Sequence, residues 1–196
     1  MKRKIFLIMM ALLAALTSSA AALQQQQNTL SEKMVRLHVV ANSDTEKDQQ
    51  LKLKVRDAIL TVTEGVSSVE DIRKILPQVE QAARKCLERN GSAETISVVL
   101  QKENFPTRNY STFSLPAGTY TALRVTIGAG EGHNWWCVAF PSICLRAASD
   151  LEEAAVTAGF TEGEVKLITE DNDGYVLKFK ALELLQQLKE YLFAQG

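Results

Sequence analysis

The stretch "MVRLHVVANSDTEKDQQLKLKVRDAIL" (34–60) changes its hydrophobic period part-way along, and it decides the fold class. Met34 to Ala41 are rich in β-branched side chains and alternate loosely, which predicts a strand. Ser43 and Glu46 then have the spacing of a capping box, so we expect Ser43 to begin a helix that runs to about Glu64. Apolar residues follow at helical spacing on one face of that helix: Leu51, Val55, Ala58, Ile59 and Val62.

A second helical region follows the first. Ser67 and Glu70 repeat the capping-box spacing, and Pro77 either kinks this helix or opens a separate one. An apolar stripe continues until Asn90-Gly91 ends it. The stripe consists of Val79, Ala83, Cys86 and Leu87.

The rest of the chain alternates between strand and helix patterns without a regular βαβ order. Two hairpins are expected, one across Pro116–Thr119 and one across Asn172–Gly174. Helices are predicted from Ser149 to Gly159 and around Leu182–Leu192. The predicted strands are Thr95–Leu100, Tyr110–Leu115, Tyr120–Ile127, Trp136–Phe140, Val165–Thr169 and Tyr175–Lys180. This order predicts an α+β fold in a single domain, with an antiparallel sheet, N-terminal helices and a C-terminal amphipathic helix.

Residues 1–22 have the pattern of a signal peptide. A basic start at Lys2–Lys4 precedes an apolar run, Ile5–Leu16, and small residues end in Ala20–Ala22 as a cleavage site. The apolar run is short for a membrane span, and an uncleaved N-terminal anchor is the alternative. In both cases we expect the remaining chain to cross a membrane, with residues 23–33 as a polar tether and residues 34–196 as the domain.

The composition excludes several classes of partner. The 22 basic and 23 acidic residues leave a net charge of −1, so no overall field attracts nucleic acid or anionic lipid. Any transient membrane association is expected through the N-terminal segment. The two histidines, His38 and His133, stand outside any metal-binding spacing, so no metal site is predicted. The glycine-rich residues 128–132 depart from the dinucleotide fingerprint and indicate a mobile or tightly bent loop, so no cofactor is predicted.

Three cysteines are present. In an exported chain Cys137 and Cys144, with six residues between them, are the pair that we expect to be oxidised. Closing so short a loop stabilises a fold by roughly 2–3 kcal/mol in the chain-entropy model. Cys86 falls on the apolar face of a predicted helix and is interpreted as a buried apolar side chain.

The stretch "GEGHNWWCVAFPSICL" (130–145) concentrates the residues most suited to recognition. Adjacent side chains of a strand point to opposite faces, so one tryptophan can fill the core while the other covers a surface or meets a partner. Rigid aromatic rings beside polar groups are typical of interface hot spots. The predicted partner-binding residues are therefore His133, Asn134, Trp135 and Trp136. The alternative is that both rings are structural.

A catalytic interpretation of the same stretch pairs His133 with Cys137, or with a carboxylate such as Asp44. A thiol enzyme needs a free, activated thiolate and a third orienting residue, and a bridge between Cys137 and Cys144 would remove the thiolate. We therefore assign no catalytic residues and do not expect an enzyme. An exported hydrolase that acts on peptide or cell wall stays as the alternative.

Three stretches together resemble the stage II sporulation protein R family of endospore-forming Firmicutes: "RLHVVANSDTEKDQQLKLKVRDAIL" (36–60), "NFPTRNYSTFSLPAGTYTALRVTIG" (104–128) and "GEGHNWWCVAFPSICL" (130–145). The resemblance covers about residues 35–145. It implies a signalling protein that is secreted from the forespore into the space between the forespore and mother-cell membranes. There it is expected to activate a mother-cell membrane aspartic protease of the stage II sporulation GA type, which processes pro-sigma-E. The resemblance implies no catalytic set.

Overall fold

The computed structural model describes residues 27–143 and 148–169, together with isolated residues among the first 26. The predicted strand at Tyr175–Lys180 and the predicted helix around Leu182–Leu192 lie outside the described residues. Residues 27–32, within the predicted tether, are helical, and Leu30 is buried. Among the described residues, no helix has the length and apolar character needed to cross a bilayer.

Four strands form the main sheet, in the spatial order β2–β5–β1–β6. Strand β1 (Val35–Val40) pairs in parallel with β5 (Gly118–Ile127) and antiparallel with β6 (Asn134–Phe140). Strand β2 (Ile96–Phe105) pairs antiparallel with the other edge of β5. The sheet is therefore mostly antiparallel, and the predicted α+β class is confirmed.

Five helices are described besides the N-terminal helical residues: α1 (Glu46–Thr63), α2 (Val69–Lys74), α3 (Leu76–Arg89), α4 (Ala148–Thr157) and α5 (Glu162–Thr169). Helices α1, α2 and α3 cover one face of the sheet and enclose a helix-face core with Val35, Leu37 and Val39 of β1. A second-face core lies on the opposite side, between the sheet and helices α4 and α5. Alternation along β1 thus sends neighbouring side chains into two different cores.

The predicted helices that fall within the described residues are present, but their first residues differ from the prediction. The N-cap of α1 is Thr45, whose hydroxyl accepts from the Asp48 backbone N–H, because the Ser43 hydroxyl donates to the Asp48 carboxylate at 2.6 Å. Likewise Ser68, one residue after the predicted position, caps α2. Helix α4 already includes Ala148, so the predicted cap at Ser149 is wrong. Pro77 lies in the first turn of α3, which is a separate helix.

The predicted hairpin between 110–115 and 120–127 is wrong. Strand β4 (Ser114–Leu115) pairs instead with β3 (Arg108–Asn109) in a small second sheet. Strand β5 pairs with β2 along its whole length, from Ile96 opposite Ile127 to Phe105 opposite Gly118. The pairing with β2 is favoured over the predicted hairpin because its ten residue pairs stabilise β5 more than the short segment before the turn can.

The predicted strand at Val165–Thr169 is also wrong, since these residues belong to helix α5. Its N-terminus is a capping box that the prediction missed. The Thr161 hydroxyl accepts from the Glu164 backbone N–H, and the Glu164 carboxylate accepts from the Thr161 backbone N–H at 2.7 Å. The capping box satisfies two backbone donors at once. This stabilisation of the helix outweighs the preference of the segment's β-branched residues for a strand.

The different burial of two strand valines predicts that their truncation lowers the free energy of unfolding by different amounts. Val39 is 0% exposed in the helix-face core, whereas Val99 on the edge strand β2 is 40% exposed. We expect Val39→Ala to lower the free energy of unfolding by roughly 2–3 kcal/mol and Val99→Ala to lower it by less than about 1 kcal/mol. Urea denaturation of both variants measures the difference. Equal losses would contradict this placement of β1.

Candidate functional site

Two loops meet at one end of the sheet. Residues 41–45 follow β1, and residues 128–133 connect β5 to β6; we call them the loop pair. The two loops lie together because the parallel strands β1 and β5 finish at the same end of the sheet. The antiparallel strand β6 begins at that end. The Glu131 N–H donates to the Asn42 carbonyl at 3.1 Å, and the Gly132 N–H donates to the Ala41 carbonyl at 2.9 Å. Backbone hydrogen bonds thus hold the two loops against each other.

Glycine is required in the second loop for two different reasons. Gly130 has a φ of 67°, a left-handed conformation that favours glycine. Gly132 has no room for a side chain, since a Cβ there would lie 2.3 Å from the Ser43 carbonyl oxygen. The glycine-rich residues therefore form a tightly bent loop, one of the two forms that the sequence indicated.

A single carboxylate oxygen of Asp44 links the two loops. Its Oδ1 accepts from the His133 backbone N–H at 2.6 Å and is also hydrogen-bonded to Nδ1 of the His133 ring. Both side chains remain open to solvent, His133 with 78% and Asp44 with 53% exposure. The hydrogen bonds from His133 lower the pKa of Asp44 below its usual value. The structure thus brings together His133 and the carboxylate that the catalytic alternative named.

Lys52 of helix α1 contacts the loop pair from its buried side. It is a buried residue of α1 whose Nζ donates to the Gln49 side-chain oxygen at 2.5 Å and to the His133 carbonyl at 2.8 Å. Burial lowers the pKa of Lys52. Sequence reasoning missed this residue, although a signal was present: Lys52 lies three residues before Val55, at the border of the apolar stripe of α1.

The two tryptophans point to opposite faces of β6, as predicted. Trp135 packs against the helix-face core, and the Arg56 guanidinium lies 4.4 Å from the centre of its ring. Trp136 lies on the second face, where its ring stacks on His38 with centroids 3.8 Å apart and meets the edge of Phe105. Both rings are half-buried, so each braces the start of β6 from one side.

A polar network on the second face includes the last of the predicted binding residues. Asn134 is exposed, but its side-chain oxygen is hydrogen-bonded to His38 Nε2 at 2.8 Å. The other ring nitrogen of buried His38 is hydrogen-bonded to Glu103 Oε1 at 2.7 Å, and Arg124 donates to the same oxygen at 2.9 Å. The alternation of "RLHVV" places His38 opposite the apolar residues of β1, so this signal was also present in the sequence.

The structure separates the two members of the proposed thiol pair. Cys137 is buried in the helix-face core, whereas the His133 ring is exposed at the start of the strand. Four residues of extended chain span about 13 Å, which is beyond hydrogen-bond reach. Cys144 lies outside the described residues, so the bridge to Cys137 stays a prediction. Cys86 is a free, half-buried thiol on α3 whose pKa is raised by burial.

Comparison with known proteins is consistent with the resemblance of the three stretches. The family model Stage II sporulation protein R (spore_II_R) matches residues 31–150. The Stage II sporulation protein R of Bacillus subtilis (strain 168) is 33% identical over 185 residues, which cover 81% of this chain and 83% of the relative. No solved structure matches the chain.

These matches define the class of the protein as a sporulation protein. The chain belongs to the stage II sporulation protein R family, and the predicted resemblance is confirmed.

The hydrogen bonds to Asp44 predict a pH dependence. A carboxyl whose pKa is lowered by folding stabilises the fold above its unfolded-state pKa, and this stabilisation is lost as the pH falls through the folded-state pKa. We expect His133→Ala to raise the pKa of Asp44 towards its ordinary value, because the ring makes the largest contribution to lowering it. Carbon-detected NMR titration of the carboxyl groups measures this change. Asp71, whose pKa is lowered by Lys74 and Ser68, is the internal control and should not change.

The space around Gly132 and Gly163 predicts that substitution by alanine has opposite effects on stability at the two positions. Gly132→Ala forces a Cβ against the Ser43 carbonyl, and we expect a loss of roughly 1–3 kcal/mol in unfolding free energy. Gly163→Ala in helix α5 meets its nearest atom only at 4.0 Å and should stabilise the fold by about 0.5–1 kcal/mol. Thermal melts of the two variants test this, and an unchanged melting temperature for Gly132→Ala would contradict the packing of the loop pair.

Proposed function

We propose that this protein is a secreted signal of endospore formation that activates a mother-cell membrane aspartic protease of the stage II sporulation GA type. The activated protease then processes pro-sigma-E. Two observations support the proposal: membership of the stage II sporulation protein R family, and the signal-peptide pattern of residues 1–22. The place of action is the space between the forespore and mother-cell membranes, where an exported forespore protein can reach the protease.

The proposed contact with the protease is the loop pair and the start of β6. The single observation that carries this choice is the exposed His133–Asp44 pair on a loop held by backbone hydrogen bonds and by Lys52. A rigid surface loses little conformational entropy on binding, which favours affinity. His133 and Asn134 present polar groups to the partner, while Trp135 and Trp136 hold the strand from its two faces.

The second candidate function is an exported hydrolase, and the same pair of residues favours it. An imidazole that is oriented by a carboxylate is the usual arrangement of a general base. In this alternative His133 is the base, Asp44 orients it, and the substrate is peptide or cell wall. The two functions differ in one respect that can be measured: the hydrolase acts without a protease partner.

The test is reconstitution of pro-sigma-E processing in a non-sporulating host that exports the protein and expresses the protease. We expect His133→Ala and Asp44→Ala to reduce the processed fraction roughly tenfold or more, as truncation of a hot-spot residue does. Lys74→Ala is the matched control, since Lys74 has an exposure between those of Asp44 and His133 but lies on α2, and this variant should process pro-sigma-E normally. A form without residues 1–22 should fold in the cytoplasm and fail to signal.

The outcomes separate the alternatives. Normal processing by both loop variants, at unchanged melting temperature, would exclude the loop pair as the contact. Processing by a form that is shown to stay in the cytoplasm would refute export. Hydrolysis of peptide or cell wall by the purified protein, lost in both variants, would establish the hydrolase instead.

A further inference from the structure

Helices α1 and α3 enclose an open groove on the outer surface of the protein. Its volume is about 640 Å³, and we call it the α1–α3 groove. Its floor is formed by Ala58 and Val62 of α1 and by Ala82 and Cys86 of α3. The floor is therefore apolar, and its four residues are half-buried, with Val62 and Cys86 packed against the helix-face core. It shares no residue with the loop pair.

The rim of the groove carries charge of only one sign. Its charged residues are Lys54, Lys85 and Arg89, and no carboxylate lines it. Lys54 donates to the neutral Asn90 side chain at 2.7 Å. Within the described part of the chain, the side chains of Lys85 and Arg89 have neither a hydrogen bond nor an ion pair. The cations of the rim thus remain available to a partner.

Four other cations of helices α1, α2 and α3 are paired with carboxylates. The carboxylate pairs are Arg56 with Asp57, Arg73 with Glu70, Lys74 with Asp71, and Arg84 with Glu80. The groove therefore has three cations without a carboxylate partner around one apolar floor, in a chain whose net charge is only −1. These basic side chains around an apolar floor complement a ligand that is apolar on one side and anionic at its edges.

We propose that the α1–α3 groove binds an acidic amphipathic helix of a partner protein. The apolar face of that helix lies on Ala58, Val62 and Ala82, and its carboxylates pair with Lys85 and Arg89. A groove between two packed helices accepts the side-chain ridge of a third helix. The groove extends along α3 from Gln78 to Asn90, about 18 Å at 1.5 Å per residue, which matches a ligand helix of three to four turns. A bilayer surface is flat and would not fill this concave site.

Cys86 provides a direct measurement of occupancy. It is a free thiol on the floor of the groove, so a bound helix would cover it. The probe is a synthetic 14-residue peptide with leucines on one helical face and glutamates along both flanks. The control peptide has the same leucines with lysines in place of the glutamates. The rate of Cys86 alkylation in the full chain, mapped by mass spectrometry, reports binding; we expect the acidic peptide to slow alkylation in a saturable way and the basic peptide to leave it unchanged.

Charge variants test the rim. Lys85→Gln combined with Arg89→Gln should lower the affinity for the acidic peptide about tenfold, because two partly exposed charge pairs are removed. Arg73→Gln combined with Lys74→Gln is the matched control, since it makes the same charge change on α2 outside the groove and should leave affinity unchanged. Thermal melts confirm that both double variants are folded.

Each result supports or overturns the proposal. Equal protection by the two peptides would overturn the role of charge, and no protection at millimolar acidic peptide would overturn docking. Protection of Cys86 by vesicles of phosphatidylglycerol, with none by the acidic peptide, would assign the groove to a lipid surface and overturn the helical partner. Because the groove and the loop pair share no residue, failure here leaves the processing assay as an independent test of the proposed function.

Discussion

The burial of β1 is the constraint on which the rest of the structure depends. This strand lies between β5 and β6, and all six of its residues are buried, including Arg36 and His38. A buried guanidinium is unfavourable unless its surroundings compensate for lost water. Arg36 lies over the rings of Phe105 at 4.4 Å and Tyr120 at 5.0 Å, and it donates to the Tyr110 hydroxyl at 3.1 Å. Three aromatic residues of the second face are thus arranged around one cation.

The sequence predicts those parts of the fold that depend on local chemistry. The strand and helix within 34–60 were predictable because the hydrophobic period changes within a few residues. The partner of β5 was not predictable, since the turn at Pro116–Thr119 indicates a local hairpin while the observed pairing joins β5 to β2. Helix α5 was missed because the β-branched Val165, Ile168 and Thr169 favoured a strand more strongly than Thr161 and Glu164 favoured a cap.

The candidate site was predictable in part for the same reason. The glycine loop, its aromatic residues and their opposite orientation follow from the local sequence. The contact between Asp44 and His133 does not, because it joins residues 89 positions apart that meet only when β6 pairs with β1. Lys52 and His38 left weak signals, since a single polar residue on a buried face is also compatible with ordinary core hydrogen bonding.

The central position of β1 has a consequence for the order in which the chain acquires its structure. Arg36 donates to the Cys137 carbonyl across 101 positions, and His38 reaches Asn134 across 96. The middle of the sheet therefore closes only after β5 and β6 have been synthesised, and such long-range pairing makes folding slow. Until then β1 leaves the ribosome with both edges unpaired. A slow-folding chain of this kind stays extended long enough to be threaded through a translocation channel, as the proposed export requires.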